Sequence, residues 1–198
     1  GLADNALLIL GLAYLQARGH PAWWAPLLKF AFTWSYVLLA PLAGGLADAL
    51  PKGRLMAWMN GLKLLGAALL GLAAHPVLAF ALVGLGAAIY APAKYGLLTE
   101  TVPPSRLVQA NGWIEVSVVL SVLLGTALGG ALVALGSGLH LALTAVLAMY
   151  ALAALLNRWV PRRAAREARA PWPDPRRAPD AWRRFWHGQC RLWRDPLG

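Results

Sequence analysis

The sequence predicts an all-α membrane protein: six transmembrane helices followed by a basic cytoplasmic tail. Three observations predict it. Of 198 residues, 59% are hydrophobic and 13% charged, against about a quarter charged in a soluble domain. Apolar stretches of about 20 residues, the length that crosses a bilayer, alternate with short turns rich in Gly, Pro and charge. The positive charge is concentrated at one end: from Arg158 onward eleven Arg face four acids, net +7, whereas the preceding 157 residues carry net +3. Ten Trp and twenty Gly suit interfacial anchoring and close helix approach. The single Cys190 excludes an internal disulfide and a cysteine-rich metal site, and nothing in the sequence calls for a metal or a cofactor.

The first span runs from about Gly1 to Ala17 and reads as truncated at its start; Arg18-Gly19-His20-Pro21 closes it, and Trp23-Trp24 reads as an interfacial pair. The second runs from about Leu27 to Leu50 with Pro41 inside. The turn Pro51-Lys52-Gly53-Arg54 leads to the third, about Leu55 to Ala74, and His75-Pro76 turns the chain again. The fourth covers about Val77 to Leu98, followed by a polar loop, Thr99 to Gln109. The fifth spans Ala110 to about Leu135, and the sixth Leu139 to about Leu156. Residues 1–157 are thus expected to form one bundle and 158–198 a basic linker, with the chain expected to continue at both ends.

Lys52, Arg54, Arg106 and the run beginning at Arg158 fall on one side of this alternation, which makes that side cytoplasmic. In the tail, a Pro-rich piece precedes Asp180–Asp195, where aromatic and basic residues interleave. That pattern predicts an amphipathic helix on an anionic inner leaflet; nucleic acid is not expected as a partner.

Charges inside the spans carry the functional reading. A lone charge at mid-membrane costs about 2.5–3.5 kcal/mol on insertion scales unless it faces protein or water. Val83 to Glu100 contains Pro92 and Lys94 among Ala and Gly, with Tyr90 and Tyr95 alongside. At 1.5 Å per residue, Asp4 lies about 21 Å from the outer end of its span, Lys94 about 25 Å and Glu115 about 22 Å, with Lys63 about 12 Å from the inner side. Two acids and two lysines therefore share one layer. Asn111 and Glu115 are four apart and share a helix face, as do Asn60 and Lys63 at three apart; Asn5 points to a face beside that of Asp4. Pro92 frees a carbonyl near Ala88. Asp4, Asn5, Lys63, Lys94, Asn111 and Glu115 are the candidate substrate-binding residues, polar groups from separate helices as in transporter sites; a purely structural Lys63–Asn60 contact stays open. Gly44, Asp48 and Arg54 form a second constellation. An acid at a helix C-terminus is disfavoured by the macrodipole, so Asp48 is expected to have a basic partner or another helix's N-terminus. Gly125, Gly129 and Gly130 read as a close-packing face.

Gly44-x-Leu46-Ala47-Asp48 before a basic turn resembles the signature between spans two and three of the major facilitator superfamily, with a turn two residues longer than usual. Asp4-Asn5-Ala6-Leu7-Leu8, Asn60-Gly61-Leu62-Lys63 through Ala67, Pro92-Ala93-Lys94-Tyr95-Gly96, and Ala110-Asn111-Gly112 with Glu115 together resemble the bacterial lysophospholipid transporter family within it. The resemblance implies the first six-span half of a twelve-span transporter. It implies movement of lysophospholipids, chiefly lysophosphatidylethanolamine, from the outer to the inner leaflet of the bacterial inner membrane. An acyltransferase/acyl-carrier-protein synthetase, separate or fused, is the implied partner. Asp4 and Lys94 take the charged cavity positions, with Asn5, Lys63 and Glu115 nearby, and Gly44, Asp48 and Arg54 take the conformational latch.

An enzyme is disfavoured. An acyltransferase of the same chemistry pairs a His with an Asp after four intervening residues, and His20, His75, His140 and His187 are followed at that spacing by Ala25, Phe80, Ala145 and Leu192. No phosphate-binding G-x-x-x-x-G-K-[ST] loop is present. A drug or metabolite exporter of the same superfamily is the alternative reading.

Overall fold

A computed structural model describes residues 1–72, 75–135 and 138–160, together with Arg183, Trp186, His187 and Cys190. All of the regular structure among the described residues is helical. The helices are α1 (Leu2–Ala17), α2 (Trp24–Ala49), α3 (Lys52–Gly71), α4 (Pro76–Thr101), α5 (Leu107–Ala134) and α6 (Leu139–Arg158), with a single 3-10 turn at Pro104–Arg106. Four stretches are long and apolar enough to cross a membrane: α2, α4, α5 together with its leading turn, and α6. At 16 residues α1 is shorter. α3 is less apolar because it carries Lys52, Arg54 and Lys63, and it offsets this by burying two of them, Lys52 and Lys63, against protein.

Two helix ends differ from expectation. α3 begins at Lys52 rather than Leu55, since the fixed φ of Pro51 pre-organises the first turn, and the Leu55 N–H already donates to the Pro51 carbonyl. α4 continues past Leu98 to Thr101, so Glu100 lies on a helix and not in a loop. It also runs through Pro92 as one helix.

The contacts fix an alternating, up-and-down bundle. α4 packs on α2 and α3, α3 also packs on α6, and α1 packs chiefly on α5 and α6. One buried core joins Leu7, Leu10 and Tyr14 of α1 to Leu28, Leu70, Phe80, Val83, Val146 and Tyr150. A second joins Ala43 and Ala47 to Leu55, Met56, Ile89 and Ala93 at the other end of α2, α3 and α4. Small residues set the spacing. A Cβ on Gly129 would stand 2.9 Å from the Ala6 carbonyl oxygen, and Gly125 likewise abuts the backbone at Leu2. Gly130 faces open space, so the close-packing stripe is Gly125 and Gly129. They are the only buried residues of α5, whose remaining surface shows Val116, Val119, Leu120, Leu123 and other large apolar side chains.

Trp24 marks one end of the bundle, its ring lying 4.5 Å from His20 and 5.4 Å from His75. At the opposite end the N-terminus of α3 meets the C-termini of α4 and α6: Lys52 pairs with Glu100, and Gly53 touches the backbone of Asn157. Lys52, Arg54 and Arg158 share that end. In the tail, Arg183, Trp186, His187 and Cys190 are helical; the rest of the expected amphipathic helix lies outside the described residues.

Candidate functional site

The charges predicted to share one layer fall into two groups. In the first, Lys63 Nζ donates to Asp4 Oδ2 at 3.1 Å and the Tyr150 hydroxyl donates to Asp4 Oδ1 at 2.7 Å. The Lys63 side chain is 4% exposed and that of Asp4 14%, so hydrocarbon and water are both largely excluded from the pair. The Lys63 ammonium also lies 5.0 Å from the centroid of the Tyr90 ring, a cation–π distance. α1, α3, α4 and α6 thus converge on the Asp4–Lys63 ion pair.

The position of Lys63 follows from its neighbours. Gly86 on α4 has no side chain, and a Cβ there would lie 2.7 Å from Lys63 Cγ and 2.8 Å from the Met59 carbonyl oxygen. The lysine stem occupies that space and carries its ammonium across to α1. Lys63 therefore pairs with Asp4 and not with Asn60. The Asn60 amide nitrogen is buried with no hydrogen-bond partner.

The second group belongs to α4 and α5. Lys94 is half-buried, and its ammonium rests 4.4 Å from the centroid of the Tyr95 ring. The hydroxyl of that same tyrosine donates to Glu115 Oε1 at 2.6 Å. Glu115 and Asn111 are both exposed on one face of α5. One aromatic side chain thus receives a cation on its face and holds a carboxylate at its tip. Tyr90, one turn before Lys94 on α4, belongs to the packed group through Lys63.

Asn5 belongs to neither group. Its side-chain amide donates to the Gly1 carbonyl at 2.9 Å, and its Cβ lies against Gly125 of α5. Of the three residues expected to line one cavity, Asp4 turns to α3 and α6, whereas Lys94 and Glu115 meet through Tyr95.

The second constellation is also looser than expected. Gly44, Asp48 and Arg54 are all exposed, and among the described residues Asp48 has no ion pair. Lys52, the nearest base in sequence, is drawn inward to Glu100 instead. A cavity of about 660 Å³ lies beside that pair, between α3, α4 and α6, away from the Asp4 layer.

Sequence reasoning missed three contributors. Tyr150 lies 146 residues from Asp4, and a phenol in a largely aliphatic span is the available signal. Glu100 was assigned to a loop, although antiparallel helices that present Lys52 and Glu100 at one end offer complementary charges. Ser35 donates to the Ala81 carbonyl at 3.0 Å and ties α2 to α4; nothing in its spacing marks it.

Comparison with known proteins gives a consistent result. A sequence model of the Major Facilitator Superfamily matches residues 7–195. The chain is 46% identical over 165 residues to a protein of Shigella flexneri named lysophospholipid transporter LplT, covering 82% of this chain and 41% of that protein. It is 42% identical over 195 residues to one of the same name from Yersinia pestis, covering 97% of this chain and 46% of the relative. The chain spans less than half the length of these relatives.

Proposed function

The chain belongs to the major facilitator superfamily, and from that premise we propose that its six helices form one half of a lysophospholipid transporter. The proposed substrate is chiefly lysophosphatidylethanolamine, carried from the outer to the inner leaflet of the bacterial inner membrane by facilitated movement. An acyltransferase/acyl-carrier-protein synthetase on the cytoplasmic side is the proposed consumer of the delivered lipid. The names and identities of the relatives support the substrate class.

The observation that carries this reading is the Lys94–Tyr95–Glu115 group. A lysophosphatidylethanolamine head is a phosphate joined to an ammonium, and transferring either one bare into hydrocarbon is very costly. The group offers a cation and a carboxylate, held apart by one ring. Lys94 replaces water around the phosphate, and Glu115 replaces it around the ammonium. Charge-assisted hydrogen bonds of this kind are roughly twice as strong as neutral ones. Asn111, one turn before Glu115 on the same exposed face, adds a neutral donor and acceptor. The acyl chain has the exposed row Val116, Val119, Leu120 and Leu123 of the same helix to lie against.

Asp4, Lys63 and Asn5 take a different part in the proposal. The Asp4–Lys63 pair is already satisfied by Tyr150 and Tyr90, so it holds α1 against α3 and α6 and fixes the wall behind the site. Asn5 sets the seam between α1 and α5. Gly44, Asp48 and Arg54 remain the proposed latch, exposed for a partner surface on the cytoplasmic side.

Uptake of labelled lysophosphatidylethanolamine by spheroplasts tests the proposal. Lys94→Ala is expected to abolish uptake while the protein still inserts, and Lys29→Ala is expected to transport normally. Normal uptake by Lys94→Ala would overturn the assignment.

A further inference from the structure

The cavity at the basic end of the bundle has no part in the proposed transport site, and its geometry points to a resident anionic phospholipid of the cytoplasmic leaflet, bound by its phosphate between α3 and α6. The cavity measures about 660 Å³, within the range of roughly 300–1,000 Å³ that accommodates small ligands. Three cations line it, Lys52, Arg54 and Arg158, against one carboxylate, Glu100. Glu100 is bonded to Lys52, which leaves both guanidinium groups to attract an anion. Arg54 and Arg158 are exposed, and neither side chain has a hydrogen bond or ion pair among the described residues.

The floor of the cavity adds donors. α3 starts at the rim, and its first-turn N–H groups have no side-chain cap, an arrangement that favours anions. Asn157 lines the same space and brings a side-chain amide to it.

The apolar part of the lining makes the occupant a lipid and not a soluble anion. Trp58 and Leu155 both line the cavity and are both 58% exposed. Trp58 follows Arg54 by one turn of α3, and Leu155 precedes Arg158 by one turn of α6. Each helix therefore presents a guanidinium at its end and a large apolar side chain one turn deeper into the bilayer. That order of charge and hydrocarbon matches a phosphate head above acyl chains. Basic pockets between helices on the cytoplasmic side recognise such heads, and guanidinium forks suit the phosphate oxygens.

The protein reconstituted in mixed vesicles of phosphatidylglycerol and phosphatidylethanolamine, then ejected for native mass spectrometry, tests the inference. The wild type is expected to retain phosphatidylglycerol in preference to phosphatidylethanolamine. Arg54→Gln and Arg158→Gln are each expected to weaken retention about fivefold, in line with roughly 1 kcal/mol per basic group at the surface. Arg106→Gln, on the same side of the membrane, is expected to change nothing. Three results would overturn the inference: equal retention of both lipids, undiminished phosphatidylglycerol in the Arg54→Gln/Arg158→Gln variant, or the same loss in Arg106→Gln. Displacement of the lipid by inorganic phosphate would overturn the lipid as occupant in favour of a soluble anion.

Discussion

Tyr95 does two jobs that a substitution can separate. Tyr95→Phe keeps the ring under the Lys94 ammonium and deletes the hydroxyl that binds Glu115. Uptake of ethanolamine-headed substrate is expected to fall severalfold, while membrane insertion and thermal stability are retained, because both groups are partly open to solvent. Wild-type uptake would show that Glu115 needs no positioning. The packed pair behaves differently. Removing one partner of a buried ion pair leaves an uncompensated charge, at a cost of about 3–5 kcal/mol. Asp4→Asn and Lys63→Met are each expected to lower the melting temperature in detergent, and the double variant to recover much of the loss. Additive losses in the double variant would show that the two side chains are not coupled. Residue types were legible in the sequence, because charge in an apolar run is conspicuous. Partners were not. Lys63 reaches α1 only because Gly86 leaves room for its stem, and an empty position three turns into another helix has no signature in its own sequence.

The helices were legible from apolar length and from Pro- and Gly-bearing turns. Their ends were less so, since Glu100 and Lys52 look like loop residues until the two are seen to pair across antiparallel helices. Packing at the element scale depends on glycine. Gly86→Val would push into the Lys63 stem and into the Met59 carbonyl, and backbone cannot step aside as a side chain can. Overpacking of this kind costs about 1–3 kcal/mol, so the variant is expected to melt earlier and to transport poorly through displacement of Lys63. Unchanged melting and uptake would show that α3 and α4 have slack at this point. α5 packs chiefly on α1, through two glycines, and α4 reaches its Glu115 through the Tyr95 hydroxyl.

At the scale of the molecule, the alternation of helices collects Lys52, Arg54 and Arg158 at one end and the His20–Trp24–His75 cluster at the other. By the positive-inside rule the first end is expected to face the cytoplasm. Cys190 is exposed and is the single cysteine of the sequence, which makes it a native topology marker. A membrane-impermeant maleimide is expected to label it in inverted inner-membrane vesicles and to leave it unlabelled in intact spheroplasts. The reverse pattern would invert the whole assignment. Attaching two opposite charges to one phenol makes their release interdependent. A guest that competes for the ammonium alone leaves the ring anchored through its hydroxyl, and one that competes for the carboxylate alone leaves it anchored through its face. Only a dipolar visitor would free both moorings at once, so the proposed site is expected to select molecules bearing the two signs a few ångströms apart.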